Sequence, residues 1–145
     1  MPVTLREGAP NVSAAVSIQR TAHGFHCGVI HSRTAEAAWH LHLAFHHDLR
    51  NEVADDLRWV DPAVPPLRLK HLAALCRHLA KKHRFGGFPY GFNFQHTTFD
   101  SATNDLLFGD TEHGLTCATF VIALFRRIGV ELLALGTWPV NRPGD

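Results

Sequence analysis

The stretch WHLHLAFHHDLR, residues 39–50, alternates between two kinds of side chain, and this pattern constrains the fold more than any other. One set is His40, His42 and Ala44, and the other is Trp39, Leu41, Leu43 and Phe45. A period of two residues predicts a β-strand with one apolar face and one face lined by imidazoles. The preceding stretch GFHCGVIHS, residues 24–32, alternates in the same way. Two such strands in succession predict an antiparallel pair.

Two later stretches have helical periodicity instead. The apolar positions of residues 67–83 are Leu72, Leu75, Cys76 and Leu79, and those that follow Thr116 are Phe120, Val121, Leu124, Phe125 and Ile128. Each pattern predicts an amphipathic helix, and Cys76 falls in the buried stripe as a core thiol. We therefore expect an α+β fold in which a small antiparallel sheet packs against a Cys-bearing helix and a second helix. Residues 1–145 are expected to form one domain, with residues 130–138 (VELLALGTW) as its last strand.

The remainder of the first helical segment is basic. Its cations include Arg68, Arg77, Lys81 and Lys82, and Arg84 follows directly. A solvated helix face accounts for such charges, and an anionic partner is the alternative. The formal net charge of the whole chain is only +1 with neutral histidines, so we expect no nucleic-acid partner.

Cysteine usage and hydropathy bear on the compartment. The chain has three cysteines, Cys27, Cys76 and Cys117, and an odd, low count argues against a disulfide framework. A reducing compartment is therefore favoured. No stretch approaches the roughly 18 apolar residues of a membrane span, and residues 1–16 lack the pattern of a signal peptide. These features predict a cytoplasmic protein without a membrane span.

Cys117 lies at the point where a turn is predicted to become a helix. Gly114 permits a sharp entry, and Thr116 is a candidate N-cap that places Cys117 in the first helical turn. The free N–H groups and the positive end of the helix dipole stabilise a thiolate there, and the thiolate is the nucleophilic form. The alternative interpretation is a small buried thiol that only fills space in the core.

Three motifs together carry a family resemblance: FHCGVIH at residues 25–31, LHLAFH at residues 41–46, and LTCATFVIALFRRIGVEL at residues 115–132. The chain resembles the circularly permuted papain-like fold of the NlpC-type cysteine peptidase superfamily. This branch includes lecithin:retinol acyltransferase-like proteins and bacterial permuted amidase-like hydrolases. In it a His-x-Gly strand motif comes first and the nucleophilic cysteine comes last, at the start of a helix.

The resemblance implies a cysteine-dependent hydrolase or acyltransferase that acts on an amide, ester or thioester and needs no cofactor. Cys117 matches the nucleophile, His26 matches the base, and the third residue falls on His42, with His40 as the alternative. The chain departs from the acyltransferase pattern, because Thr116 precedes the cysteine where Asn is usual. It departs again after the cysteine, where Ala118 and Thr119 replace Glu-His. The substrate class, whether small molecule, peptide or acyl compound, stays open.

Residues 84–114 are rich in Phe, Gly and turn-forming residues, which is typical of a binding loop laid over a core. Within this loop, Tyr90 and Gln95 are candidates for hydrogen bonding to a substrate or an oxyanion. Thr116, beside the nucleophile, is a third candidate.

Two other functions fit parts of the pattern. Twelve of the 145 residues are histidines, and His40-x-His42 with His26 or His46 offers three ligands to a zinc ion. No His-Glu-x-x-His or Cys-x-x-Cys motif supports that zinc site. The second alternative is a non-catalytic binding module on the same fold, with Phe88, Tyr90 and Phe92 in its groove.

Overall fold

The structure is a computed structural model that describes residues 5–8, 10–32, 34, 37–55, 57–91, 98–107 and 114–132. It is an α+β fold with a five-stranded antiparallel sheet and two helices, as predicted. The strands are β1 (Ala14–Thr21), β2 (Gly24–His31), β3 (Trp39–Phe45), β4 (Asp48–Val53), β5 (Arg58–Val60), β6 (Thr98–Phe99) and β7 (Leu106–Leu107). The helices are α1 (Pro66–Lys82) and α2 (Cys117–Arg127).

The large sheet has the strand order β4-β3-β2-β1-β5, and β6 pairs with β7 separately. Hairpin β1–β2 is paired along its whole length, from Thr21 opposite Gly24 to Ala14 opposite His31. The pairing of β2 with β3 is much shorter and covers only residues 29–31 of β2. Residues 24–28 of β2 therefore pair with β1 alone, and the two central strands separate at this end of the sheet.

Helices α1 and α2 pack on one face of the sheet. Leu41 and Leu43 of β3 belong to the same buried cluster as Leu72 of α1 and Phe120 of α2. A smaller cluster, which contains Ile30 and Trp59, lies apart from it. Since side chains alternate along a strand, His40 and His42 point away from the helices.

Helix α2 begins with a capping box. Thr116 is the N-cap, and its hydroxyl accepts a hydrogen bond from the Thr119 main-chain N–H. In return, the Thr116 main-chain N–H donates to the Thr119 hydroxyl. Such a cap contributes about 1 kcal/mol to helix stability. All residues from 120 to 125 are buried, which makes α2 the central helix, and Gly129 at a φ of 79° follows its end. The sequence predicted this cap.

Helix α1 starts with Pro66 at its first position and buries one stripe that includes Cys76. Cys76 is fully buried, and burial raises the pKa of its thiol, so the prediction of a core thiol is confirmed. Residues 130–132, the start of the predicted last strand, have no regular secondary structure, and residues 133–138 lie outside the described residues. In the described part of the chain, no helix combines the length and the apolar character that crossing a membrane requires.

Candidate active site

His26 lies where β2 and β3 separate, and its ring meets that of His42. The Nε2 atom of His26 is 2.7 Å from the Nδ1 atom of His42, and the two rings are nearly perpendicular, at 84°. The parting of the strands leaves room for this ring between the two sides of the sheet. His26 can thus contact His42 on one side and the start of α2 on the other.

Gly28 makes this meeting of histidines possible. A Cβ atom at position 28 would lie 2.7 Å from the carbonyl oxygen of Leu41 and 2.8 Å from the Cβ of His42. Real Cβ atoms do not approach other heavy atoms so closely. The glycine of the His-x-Gly motif therefore has a packing role, since it lets β3 bring its imidazoles against β2.

Glu52 of β4 holds the far side of His42, and sequence reasoning did not find this residue. The Nε2 atom of His42 is 2.9 Å from an Oε2 oxygen of Glu52. Burial lowers the pKa of His42 more than its hydrogen bond to Glu52 raises it, which favours the neutral ring. A neutral His42 donates from Nε2 to the carboxylate and accepts at Nδ1, so the N–H between the two histidines belongs to His26 Nε2.

His40 has a different partner. Its Nε2 atom is 2.6 Å from the hydroxyl oxygen of Ser17, and its ring stacks on His42 at a centroid distance of 4.4 Å. Burial, followed by the neighbouring histidines His42 and His26, lowers its pKa to about 3. His40 is thus a neutral ring that supports His42 from behind, and of the two candidates for the third position only His42 hydrogen-bonds to His26.

Cys117 is the first residue of α2 and is half-buried. Hydrogen bonding from the side chain of Cys27, then from its main chain, and the charge and imidazole of His26 together outweigh the effect of burial and lower the pKa of Cys117 from 9.0 to about 5. Since Nε2 of His26 is bound to His42, the nitrogen left for the sulfur is Nδ1. The structure therefore brings Cys117, His26 and His42 together.

Cys27, the residue after His26, is the second site residue that sequence reasoning missed. Hydrogen bonding to Cys117, followed by burial, raises the pKa of the Cys27 thiol. The proton of the thiol pair therefore stays on Cys27, and the negative charge stays on Cys117. The adjacency to His26 was visible in the sequence, but strand alternation placed the two residues on opposite faces.

Tyr90 is held against Cys117 by a short paired segment. The main-chain N–H of Leu115 donates to Pro89 (2.9 Å), and that of Gly91 donates back to Leu115 (3.3 Å). The Tyr90 phenol lies beside Cys117, since the main chain and the side chain of Cys117 both act on its pKa. Burial and the charge of Cys117 raise the pKa of Tyr90, so the phenol keeps its proton.

Close backbone contact fixes this segment. A Cβ atom at Gly114 would lie 2.5 Å from the nitrogen of Gly91 and 2.7 Å from the carbonyl carbon of Tyr90. Thr116, the other described candidate for oxyanion contact, uses its hydroxyl and its N–H in the capping box. Gln95 lies outside the described residues. Of the three candidates, Tyr90 is therefore the one with a polar group at the nucleophile.

No protein-family model, curated protein or solved structure matches this chain. The resemblance to permuted papain-like proteins therefore stays a prediction, and the arrangement of the side chains is what bears on function.

The zinc interpretation finds no ligand set in the part of the chain that the structure describes. No group of three His, Cys, Asp or Glu side chains there is placed to hold a metal ion. His26 and His42 direct ring nitrogens at each other, and His40 directs Nε2 at Ser17. His46 accepts a hydrogen bond from the main-chain N–H of Tyr90 at 3.1 Å.

Proposed function

We propose that this protein is a cysteine-dependent hydrolase or acyltransferase that acts on an amide, ester or thioester carbonyl. Cys117 is the nucleophile, His26 is the general base and acid, and His42 orients His26. One observation carries the proposal: His26, whose Nε2 lies 2.7 Å from Nδ1 of His42, is close enough to Cys117 at the start of α2 to help lower the pKa of its thiol. A nucleophile, a base and an orienting group in hydrogen-bond sequence are what nucleophilic catalysis needs.

The first chemical step is acylation of the thiol. Cys117 reacts as the thiolate, with its former thiol proton held on Nδ1 of His26, and the sulfur attacks the carbonyl carbon of the substrate. The C–S bond forms as the carbonyl π electrons move to oxygen. His42 Nδ1 and the Glu52 carboxylate beyond it stabilise the imidazolium, because each accepts one N–H along the line.

The developing oxyanion meets two donors at the head of α2. These are the main-chain N–H of Cys117 and the phenol O–H of Tyr90, which lies beside Cys117. The substrate oxygen accepts a hydrogen bond from each of them. Donors fixed before the reaction are the most effective kind of transition-state stabilisation.

The second step releases the acyl group. The tetrahedral intermediate collapses, its leaving group takes the proton from His26, and an acyl thioester stays on Cys117. His26, again neutral, removes a proton from water or from another acceptor, which attacks the thioester and frees the thiolate. Water gives a hydrolase, and another nucleophile gives an acyltransferase.

A circularly permuted papain-like fold is part of the proposal. It is supported by the order of the site residues along the chain: His26 on β2, then His42 on β3, and finally Cys117 at the start of α2. It is also supported by the antiparallel sheet against which that helix packs.

The test is direct trapping of the acyl-enzyme. Incubation with p-nitrophenyl acetate, followed by acid quench and peptide mapping by mass spectrometry, reports acetylation of each cysteine separately. We expect acetyl-Cys117 in the wild type, none at this position in Cys117→Ala, and slow acylation in His26→Ala. His23→Ala is the matched control, since His23 is an exposed histidine in the turn before β2. Acetylation of Cys117 no faster than that of a free thiol would favour the binding module instead.

A further inference from the structure

Five basic residues of α1 and the turn after it divide into two groups. Lys82 pairs with Asp105 at 2.9 Å, and Arg68 donates to the carbonyl oxygen of Ile128. Arg77, Lys81 and Arg84 have no carboxylate partner among the described residues. A solvated face would scatter such cations, whereas these three occur four and three positions apart and project to one side.

These three cations line one cavity of about 650 Å³ between α1 and the edge of the sheet at β3 and β4. The sheet contributes Arg50, Asn51, Glu52, Trp39 and the end of β2 at His31 and Ser32. The volume is that of a site for a small organic molecule. Two of these side chains are already engaged, since Arg50 binds Asp48 and Glu52 binds His42, so the unneutralised charge of the cavity comes from the helix.

Arg77 is oriented by a chain of hydrogen bonds that leads to the buried ring of His31. Its guanidinium donates to the hydroxyl oxygen of Ser32 (2.9 Å), which lies 2.7 Å from Nδ1 of His31. The other ring nitrogen of His31 is 2.8 Å from the amide oxygen of Asn51. His31 is 1% exposed, and burial lowers its pKa. With a neutral ring, every donor in this chain has an acceptor, and the remaining N–H groups of Arg77 are available to a ligand.

We propose that this cavity is a binding site for a phosphorylated small molecule. Arg77, held by Ser32, forms the bidentate contact to the phosphoryl oxygens, and Lys81 and Arg84 neutralise the remaining charge. Trp39, which is 38% exposed at the wall of the cavity, offers its ring to the organic part of the ligand. The cavity shares Glu52 with the hydrogen-bond line of His42, but its phosphate contacts do not depend on the function of the Cys117 centre.

Isothermal titration calorimetry with adenosine monophosphate, inorganic phosphate and adenosine tests the proposal. We expect the two phosphates to bind and adenosine alone to give no heat. Arg77→Gln should lower the affinity for adenosine monophosphate at least tenfold. Ser32→Ala should lower that affinity less, because the substitution only releases Arg77 from its hydrogen bond. Arg20→Gln removes the same charge from an exposed position on β1 and leaves the affinity unchanged. Circular dichroism confirms that each variant is folded.

Tryptophan fluorescence locates the ligand. Quenching by adenosine monophosphate is expected to disappear in Trp39→Phe, whereas calorimetric binding of inorganic phosphate persists. The proposal is overturned if neither phosphate binds, or if Arg20→Gln weakens binding as much as Arg77→Gln. It is also overturned if citrate, a carboxylate probe, binds more tightly than both phosphates.

Discussion

The Nε2 atom of His26 lies 2.7 Å from the Nδ1 atom of His42, while His40, two residues before His42, hydrogen-bonds to Ser17 instead. This contact separates two histidines that share one face of β3. A hydrogen bond to a group that becomes charged is worth about 1.5–3 kcal/mol, which is roughly 10–100-fold in rate. His42→Ala is therefore expected to slow acetylation of Cys117 by p-nitrophenyl acetate about 10–100-fold.

The matched control for this prediction is His40→Ala. It removes an imidazole from the same face of the same strand, so both variants lose buried packing, and urea denaturation measures that loss. Only His42→Ala should change the rate strongly. Equal rate losses in the two variants would mean that neither histidine has a specific part in the chemistry.

Glu52 fixes the proton on Nε2 of His42, because its carboxylate only accepts hydrogen bonds. Glu52→Gln replaces it with an amide that binds either tautomer of the ring. We expect the rate to fall roughly tenfold, because a neutral acceptor makes a weaker hydrogen bond than a carboxylate. Nitrogen NMR should show that His42 Nδ1 loses its uniform unprotonated state. Asp48→Asn, on the same strand, should change neither measurement.

Hydrogen bonding from the Cys27 side chain lowers the pKa of Cys117 more than any other interaction does. Removing its S–H in Cys27→Ala takes a hydrogen bond from the thiolate, so the pKa of Cys117 rises and less thiolate is present near pH 5 to 6. The pH at which Cys117 reaches half its maximal alkylation rate should move up by about one unit or more. Cys76→Ala, a change at the buried thiol of α1, should leave that midpoint where it is.

Gly28→Ala tests the packing that brings the histidines together. The added Cβ has no room beside Leu41 and His42, and overpacking of this kind costs about 1–3 kcal/mol. The free energy of unfolding in urea should fall by that amount, and acylation of Cys117 should slow as His42 is displaced. Gly86→Ala is the control, because a Cβ there meets nothing within 4 Å. Full activity in a folded Gly28→Ala protein would show that the close approach is not required.

The alternation of β2 and β3 and the stripes of the two helices predicted the α+β fold correctly. These patterns could not predict Glu52 as the partner of His42, because the strand pairing is irregular at Ala44. The register of β3 against β4 shifts between Leu43 and Phe45, which leaves Ala44 as an extra residue. A regular hairpin with Phe45 opposite Asp48 would place Glu52 opposite Leu41, on the helix side. The bulge places it opposite His40 and brings its carboxylate to His42.

The surroundings of Cys117 could be predicted only in part, for similar reasons. The start and the end of α2 follow from local sequence preferences. Thr116 caps the start, and Gly129 follows the end. Tyr90 reaches Cys117 because the backbone of residues 89–91 pairs with that of residues 114–115. Apart from their glycines, these residues have no sequence pattern that predicts the pairing. That His26 and Cys27 both reach Cys117 depends on β2 leaving β3, and this separation is a tertiary feature.

The pH dependence of Cys117 alkylation tests the central claim most directly. Iodoacetamide labelling is followed at Cys117 alone by peptide mapping, from pH 4 to pH 10, in wild type, His26→Ala and His23→Ala. A cysteine whose pKa is lowered is a thiolate above that pKa, so the wild-type rate should reach half its maximum at about pH 5. His26→Ala should move this midpoint upward, and His23→Ala should not. A wild-type midpoint near the ordinary thiol value of 9.0, or one unchanged by the loss of His26, would contradict the proposed nucleophile and base.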